Sequence, residues 1–253
     1  MKKQMVYLVI ILLLSALFAT GCERVSEEKE EAAAASARQL IIQKEGLAEQ
    51  AEKKLEEMRA ELPKAALIET EVVLQKPELP AGCESVALTM ALQSLGYQLE
   101  KTAIAEQYLI YSKDNFAAGY VGDPFTYTGE GIFPPGLTET ANKYLSQRYQ
   151  QQTAYDMSRL ELEELFPYVA AQDPVILWVT LDMEEPYFSE NTVEYGGDEY
   201  RWYWNEHCVM LGGYDLEKET VTLYDPLKGK VEYPMETVKH IYNETGKYAV
   251  VIY

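Results

Sequence analysis

The chain has 253 residues, 22 Lys+Arg against 41 Asp+Glu for a formal charge of −19, 47% hydrophobic residues and 25% charged residues. That balance builds a globular core and excludes a disordered chain or a collagen-like repeat, and three cysteines are too few for a disulfide-dense miniprotein. The acidic excess repels phosphate backbones and anionic lipid headgroups alike, so no nucleic-acid partner is expected, while 20 tyrosines suit a surface that grips peptides or glycans.

Lys2 and Lys3 precede an apolar run, Met5 to Thr20, that ends in Ala19-Thr20-Gly21-Cys22. Sixteen residues at about 1.5 Å each reach about 24 Å, short of the roughly 30 Å hydrocarbon layer, so the segment reads as an export signal rather than a span. It resembles a bacterial lipoprotein signal peptide. The resemblance implies cleavage after Gly21, lipidation of Cys22, and a cell-membrane location on the extracytoplasmic face; the alternative is an uncleaved short anchor. Removing residues 1–21 takes two lysines and no acids, moving the charge from −19 to −21. Membrane attachment therefore rests on acyl chains rather than on electrostatics.

Residues 22–65 are dense in Glu, Lys, Ala and Gln, with no proline before Pro63. They are expected to form a charged helical spacer. Leu40, Leu47, Leu55, Met58 and Leu62 make a thin apolar stripe that gives residues 40–62 a second reading as a weak coiled-coil contact.

The folded domain is expected over residues 66–253, a comfortable size for one unit. Glu71 to Leu74 reads as a strand, and residues 75–82, with Pro77 and Pro80, as a loop. A helix opens at Cys83 and ends at Leu95, with Gly96 as its C′ residue. Lys101 to Tyr111 reads as a second helix. Residues 113–136 form a loop rich in glycine, proline and aromatics, and Thr138 to Arg148 a third helix. Ser158 to Ala171 is expected to be helical, with Ser158 as N-cap and Glu161 completing a capping box. Strands follow at Val175 to Leu181, His207 to Tyr214, Val221 to Tyr224 and Tyr248 to Ile252. Helices first and strands last is an α+β order.

Only two histidines exist, His207 and His240, and a nucleophilic thiol needs a base. Cys83 stands at a helix start, where free N–H groups can lower a thiol's pKa and hold an oxyanion. His207 and Asp225 lie 18 residues apart on two strands of one expected hairpin, so the carboxylate can orient the imidazole. Cys83, His207 and Asp225 thus come together as a nucleophile, a base and an orienting acid. An exported chain with Cys22 lipidated could instead bridge Cys83 to Cys208.

His240 reads as a surface residue of a helix over Met235 to Tyr242. The acidic runs 182–185 and 194–199 lack the ligand spacing of a calcium loop, and no cofactor or metal is expected. Residues 185–205 carry seven aromatics just before His207. Trp202 and Trp204 there, with Tyr120 and Phe125 of the earlier loop, are candidate substrate-cleft residues, core packing being the alternative.

Four segments, Leu79-Pro80-Ala81-Gly82-Cys83-Glu84-Ser85, Gly119-Tyr120-Val121-Gly122-Asp123-Pro124, Glu206 to Asp215 and Tyr224-Asp225-Pro226-Leu227, resemble the bacteriocin-processing-peptidase-like family of cysteine peptidases (peptidase family C-thirty-nine-like). The resemblance implies a papain-like fold, with N-terminal helices packed on an antiparallel sheet. It also implies Cys83 as nucleophile, His207 as base and then acid, Asp225 as orienter, and Gln75 as an oxyanion-hole donor. Glu84 stands where the processing peptidases commonly carry glycine, and their double-glycine leader specificity is not carried over. The expected activity is hydrolysis of a peptide or protein substrate. The alternatives are a cell-wall peptide amidase or transpeptidase on the same fold, and a non-catalytic peptide-binding lipoprotein.

Overall fold

The computed structural model describes residues 61–148 and 152–253; the signal segment, Cys22, and the spacer and apolar stripe as far as residue 60 lie outside the described residues. The first strand is β1 (Ala65–Leu67), so the expected boundary between residues 65 and 66 falls inside a strand. Helix α1 (Cys83–Ser94) follows, then a single π turn, Ile104–Tyr108, and two short strands, β2 (Tyr111–Ser112) and β3 (Tyr120–Val121), paired in parallel. Helix α2 (Pro134–Leu145) leads to β4 (Ala154–Asp156), helix α3 (Phe166–Ala171) and β5 (Val175–Thr180). A hairpin of β6 (Phe188–Tyr195) and β7 (Asp198–Tyr203) precedes β8 (Glu206–Asp215), β9 (Thr220–Asp225) and β10 (Gly229–Pro234). Helix α4 (Met235–Glu244) and β11 (Ala249–Ile252) complete the chain.

The main sheet runs β10-β9-β8-β5-β11-β4, antiparallel throughout, with β1 added antiparallel to the far end of β8. All six residues of β5, Val-Ile-Leu-Trp-Val-Thr, are buried, because the sheet is covered on both faces. Helix α1 is buried from Cys83 through Leu92 and packs on β8, which is why its sequence is apolar or small nearly all round rather than striped. Burying each large side chain of this layer is worth about 1.5–3 kcal/mol. The α+β architecture, helices packed on an antiparallel sheet, is as expected, though one strand precedes the first helix and a helix separates the last two strands.

Several elements differ from expectation for identifiable reasons. Glu71 to Leu74 is irregular, not a strand. The edge of β8 beyond the end of β5 is taken by β1, whose Leu67 faces Gly213, and Val72 and Leu74 are left exposed. The expected helix over 101–111 is only the π turn. The Leu109 N–H reaches back to Ile104 O, Leu109 then turns extended (ψ 127°), and the Ile110 N–H bonds Thr140 Oγ1. Helix α2 begins four residues early, at Pro134, where fixed φ and a missing N–H suit a first turn. Ser158 caps no helix. Arg159 adopts φ +76°, and the helical stretch starts after Glu161, which forms the box itself by donating its N–H to Glu164 Oε2 at 2.9 Å.

Gly212 of β8 is required. A β-bulge falls at Gly212, and any Cβ there would collide with the Tyr224 ring of β9. The bulge shifts the β8–β9 register on the way to Asp225.

Candidate active site

The N-terminus of one helix and the ends of two neighbouring strands bring the chemistry together. Gly82 precedes α1 and Cys83 is its first residue, 8% exposed. His207, second residue of β8, is 3% exposed, and its Nε2 lies 2.7 Å from Oδ1 of Asp225, the last residue of β9. Pro226 follows at once, and Asp225 Oδ1 also accepts the Leu227 N–H at 2.7 Å, so the strand end and a turn fix the carboxylate. With Nε2 committed to Asp225, Nδ1 is the imidazole nitrogen that can take a proton. Burial opposes the charged form of Asp225, but the hydrogen bond and charge of His207, the Leu227 N–H and Lys228 hold it below the ordinary carboxylate range.

Cys83 and His207 line one cleft of about 500 Å³, together with Gln75, Lys76, Pro80, Tyr127, Trp202, Trp204 and Glu206. Gln75 is 3% exposed and donates from Nε2 to Pro80 O at 2.9 Å, while its Oε1 is buried with no partner. The structure therefore places Cys83, His207 and Gln75 on one cleft, with Asp225 behind His207. It also puts Trp202 and Trp204 on the cleft wall, Trp202 buried against Phe133 and Phe116, and Trp204 64% exposed. Two expected cleft residues are elsewhere. Tyr120 is wholly buried beneath it, its hydroxyl donating to the Ala81 carbonyl, and Phe125 lies outside the lining, in a turn where its N–H bonds Asp123 Oδ1. The tyrosine that lines the cleft is the exposed Tyr127.

Two carboxyls that the sequence reading did not place at the site flank the thiol. Glu84 Oε2 lies 3.3 Å and Glu206 Oε2 3.9 Å from Cys83 Sγ, and the three ligand atoms sit within 4.8 Å of one another. Their signal was adjacency: Glu84 follows Cys83 and Glu206 precedes His207. Glu84 is fully buried and accepts the Ile132 N–H at 2.8 Å through Oε1, while the Ile132 carbonyl accepts the Trp178 indole N–H at 3.0 Å. The segment before Ile132 is thus pinned between α1 and β5. Gly131 makes this possible, since a Cβ there would stand 2.5 Å from Glu84 Oε1 and 3.0 Å from the Trp202 ring.

These neighbours reverse one expectation. A helix start lowers a thiol's pKa, yet burial first, then Glu206 and Glu84, push the Cys83 thiol well up, against a smaller lowering by the Cys208 backbone N–H. Burial pushes Glu84 up to about 7, and burial together with Glu84 raises Glu206. Burial and the two carboxyls thus favour the thiol over the thiolate at Cys83. Cys208 is wholly buried, and neither thiol is bridged, so the Cys83–Cys208 disulfide is absent here. His240 is exposed and pairs through Nε2 with Glu185 Oε1 at 2.6 Å, away from the cleft lining.

The family model described as the Peptidase_C39 like family matches residues 68–250. The chain belongs to that family. YvpB of Bacillus subtilis strain 168, described as uncharacterised, is 26% identical over 187 residues, covering 71% of this chain and 72% of YvpB. A crystal structure of a candidate C39-like peptidase from Bacillus anthracis is 29% identical, covers 75% of this chain and 97% of its own, and superposes with a TM-score of 0.64. With the antiparallel sheet and the preceding helices, this is the papain-like fold of the C39-like peptidases.

Proposed function

We propose that the protein is a cysteine peptidase in which Cys83 attacks a peptide carbonyl, His207 carries the proton and Asp225 orients His207. The observation that carries this reading is the shared cleft of Cys83 and His207, with His207 Nε2 held 2.7 Å from buried Asp225 Oδ1, in a member of the C39-like family. In the first half-reaction the thiol proton passes to His207 Nδ1, sulfur bonds to the carbonyl carbon, and the imidazolium then protonates the leaving amine. Water, deprotonated by His207, releases the acyl group and restores the thiol. The N–H groups of the first turn of α1 face the developing oxyanion, and Gln75 is its candidate side-chain donor.

The same reading includes an export signal over residues 1–21 and a lipid on Cys22 that holds the domain at the extracytoplasmic face. Among the described residues no helix is long and apolar enough to cross a membrane. Incorporation of labelled fatty acid in wild type and its loss in Cys22→Ser tests the anchor.

For the activity, the full chain is incubated with a peptide mixture and new termini are mapped by mass spectrometry. Cleavage that disappears in both Cys83→Ala and His207→Ala supports the peptidase. No cleavage by the wild type, or cleavage that survives Cys83→Ala, overturns it.

A further inference from the structure

Cys83 reacts, in the peptidase reading, beside two carboxyls and an unpartnered amide oxygen. Glu206 Oε2 is 3.9 Å from Sγ, its Oε1 is buried without a hydrogen-bond partner, and Oε1 of the 97%-buried Gln75, lining the same cleft, is likewise unpartnered. Glu84 adds a second carboxyl 3.3 Å from Sγ. Around them stand the indoles of Trp202 and Trp204, and Glu130 at the exposed rim; Lys76, also exposed, is the one lysine or arginine among the described lining residues. Buried acceptors without donors are costly when empty and are satisfied by a group with several N–H donors, and indole faces favour a cation.

We propose that Glu206, backed by Glu84, receives a primary ammonium group of the substrate beside the scissile bond, so that the peptidase selects substrates carrying a free amine there. The inference rests on the cysteine peptidase reading and names its substrate class. The scale fits an α-ammonium. In a residue whose carbonyl is attacked by Sγ, the α-nitrogen is only two bonds from the attacked carbon, close enough for a carboxyl oxygen 3.9 Å from Sγ to reach it. A lysine-type side-chain ammonium offers the same chemistry. Either would favour the ionised form of Glu206 that burial otherwise opposes, and its positive charge offsets the repulsion between that carboxylate and a thiolate at Cys83. The acidic surface concentrates cations near the cleft but does not by itself discriminate by position.

The test uses three affinity reagents on the full-length chain: alanine chloromethyl ketone with a free α-ammonium, N-acetyl-alanine chloromethyl ketone, which is neutral, and Nα-acetyl-lysine chloromethyl ketone. In each, the Cys83 sulfur bonds to the methylene carbon and chloride leaves. Alkylation of Cys83 is followed by peptide mass mapping, and each rate is divided by that of free cysteine with the same reagent. At least one ammonium reagent is expected to exceed the neutral one by about tenfold or more, and the excess to collapse in Glu206→Gln and in wild type at high salt. Which ammonium reagent wins identifies the source of the amine. Equal rates for all three, or an excess that survives Glu206→Gln with wild-type size, overturns the inference and leaves the peptidase reading standing. Failure of Cys83 to react with any of the three overturns both.

Discussion

Replacing Asp225 by Asn separates the charge of the orienting residue from its shape. Asp225 Oδ1 holds His207 Nε2 at 2.7 Å and accepts the Leu227 N–H at 2.7 Å, and both His207 and Asp225 are buried. An Asn side-chain oxygen can keep both contacts, so the turn and the imidazole position survive, while the negative charge that stabilises an imidazolium is lost. A hydrogen bond to a charged group is worth about 1.5–3 kcal/mol, which corresponds to about a ten- to hundredfold loss in the population of the thiolate–imidazolium state. Iodoacetamide labelling of Cys83 at pH 7, read by mass mapping, should slow by that factor, with thermal stability changed by no more than about 1–2 kcal/mol. Asp225→Ala also strips the acceptor from Leu227 and should cost about 2–4 kcal/mol of stability in addition. A labelling rate in Asp225→Asn within about threefold of wild type would refute the orienting role, since a lost charge at this distance in a buried pair cannot be silent.

Three other outcomes follow from the same contacts. Glu84 is raised from 4.5 to about 7 by burial, so its contribution to stability is fully present below pH 4.5 and is lost as pH rises through about 7. Denaturant melts should show a decline on the order of 3 kcal/mol across that window from Glu84; Glu84→Gln, which keeps an acceptor for the Ile132 N–H, should remove that part and leave the part due to the likewise raised Glu206. Gly131→Ala places a Cβ 2.5 Å from Glu84 Oε1 and 3.0 Å from Trp202, and should destabilise by about 1–3 kcal/mol in thermal melts while slowing Cys83 labelling. Gln75→Ala should lower kcat by about a hundredfold with KM little changed if its amide serves the oxyanion, measured on any peptide the wild type cleaves.

The residues that define the site were legible because each sits where local sequence rules are strong. Gly82-Cys83 opens a helix that Gly96 closes, and Asp225-Pro226 ends a strand at the residue that must face His207. The long buried strand Val175–Thr180 was equally plain from its unbroken apolar run. What was not legible depended on tertiary neighbours. Ala65–Leu67 forms a strand only because β8 extends past β5, a length no local pattern reports. Just beyond the π turn at Ile104–Tyr108 the Ile110 N–H bonds Thr140 of another helix, and Arg159 takes a left-handed conformation that its residue type does not announce. The β6–β7 hairpin carries mixed polar and aromatic residues with one irregular register step, so its alternation is weak. At the site itself, Tyr120 and Phe125 stand out in the sequence for their aromatic chemistry and loop position. Tyr120 instead spends its hydroxyl on the Ala81 carbonyl, and burial is what sequence alone does not give for an aromatic in a glycine-rich loop. The flanking carboxyls were missed because a charged residue beside a nucleophile reads as surface, whereas Glu84 is fully buried and bonded to the Ile132 N–H.

The central claim is that Cys83 is a nucleophile served by His207. The most direct measurement is the pH profile of iodoacetamide labelling, site-mapped in the full chain, for wild type and His207→Ala. Cys83 should label while the fully buried Cys208 does not, and His207→Ala should slow Cys83 by about tenfold or more at pH 7 but little at pH 10, where hydroxide supplies the base. Equal labelling of the two cysteines, or a Cys83 rate at pH 7 that His207→Ala leaves unchanged, would contradict the account.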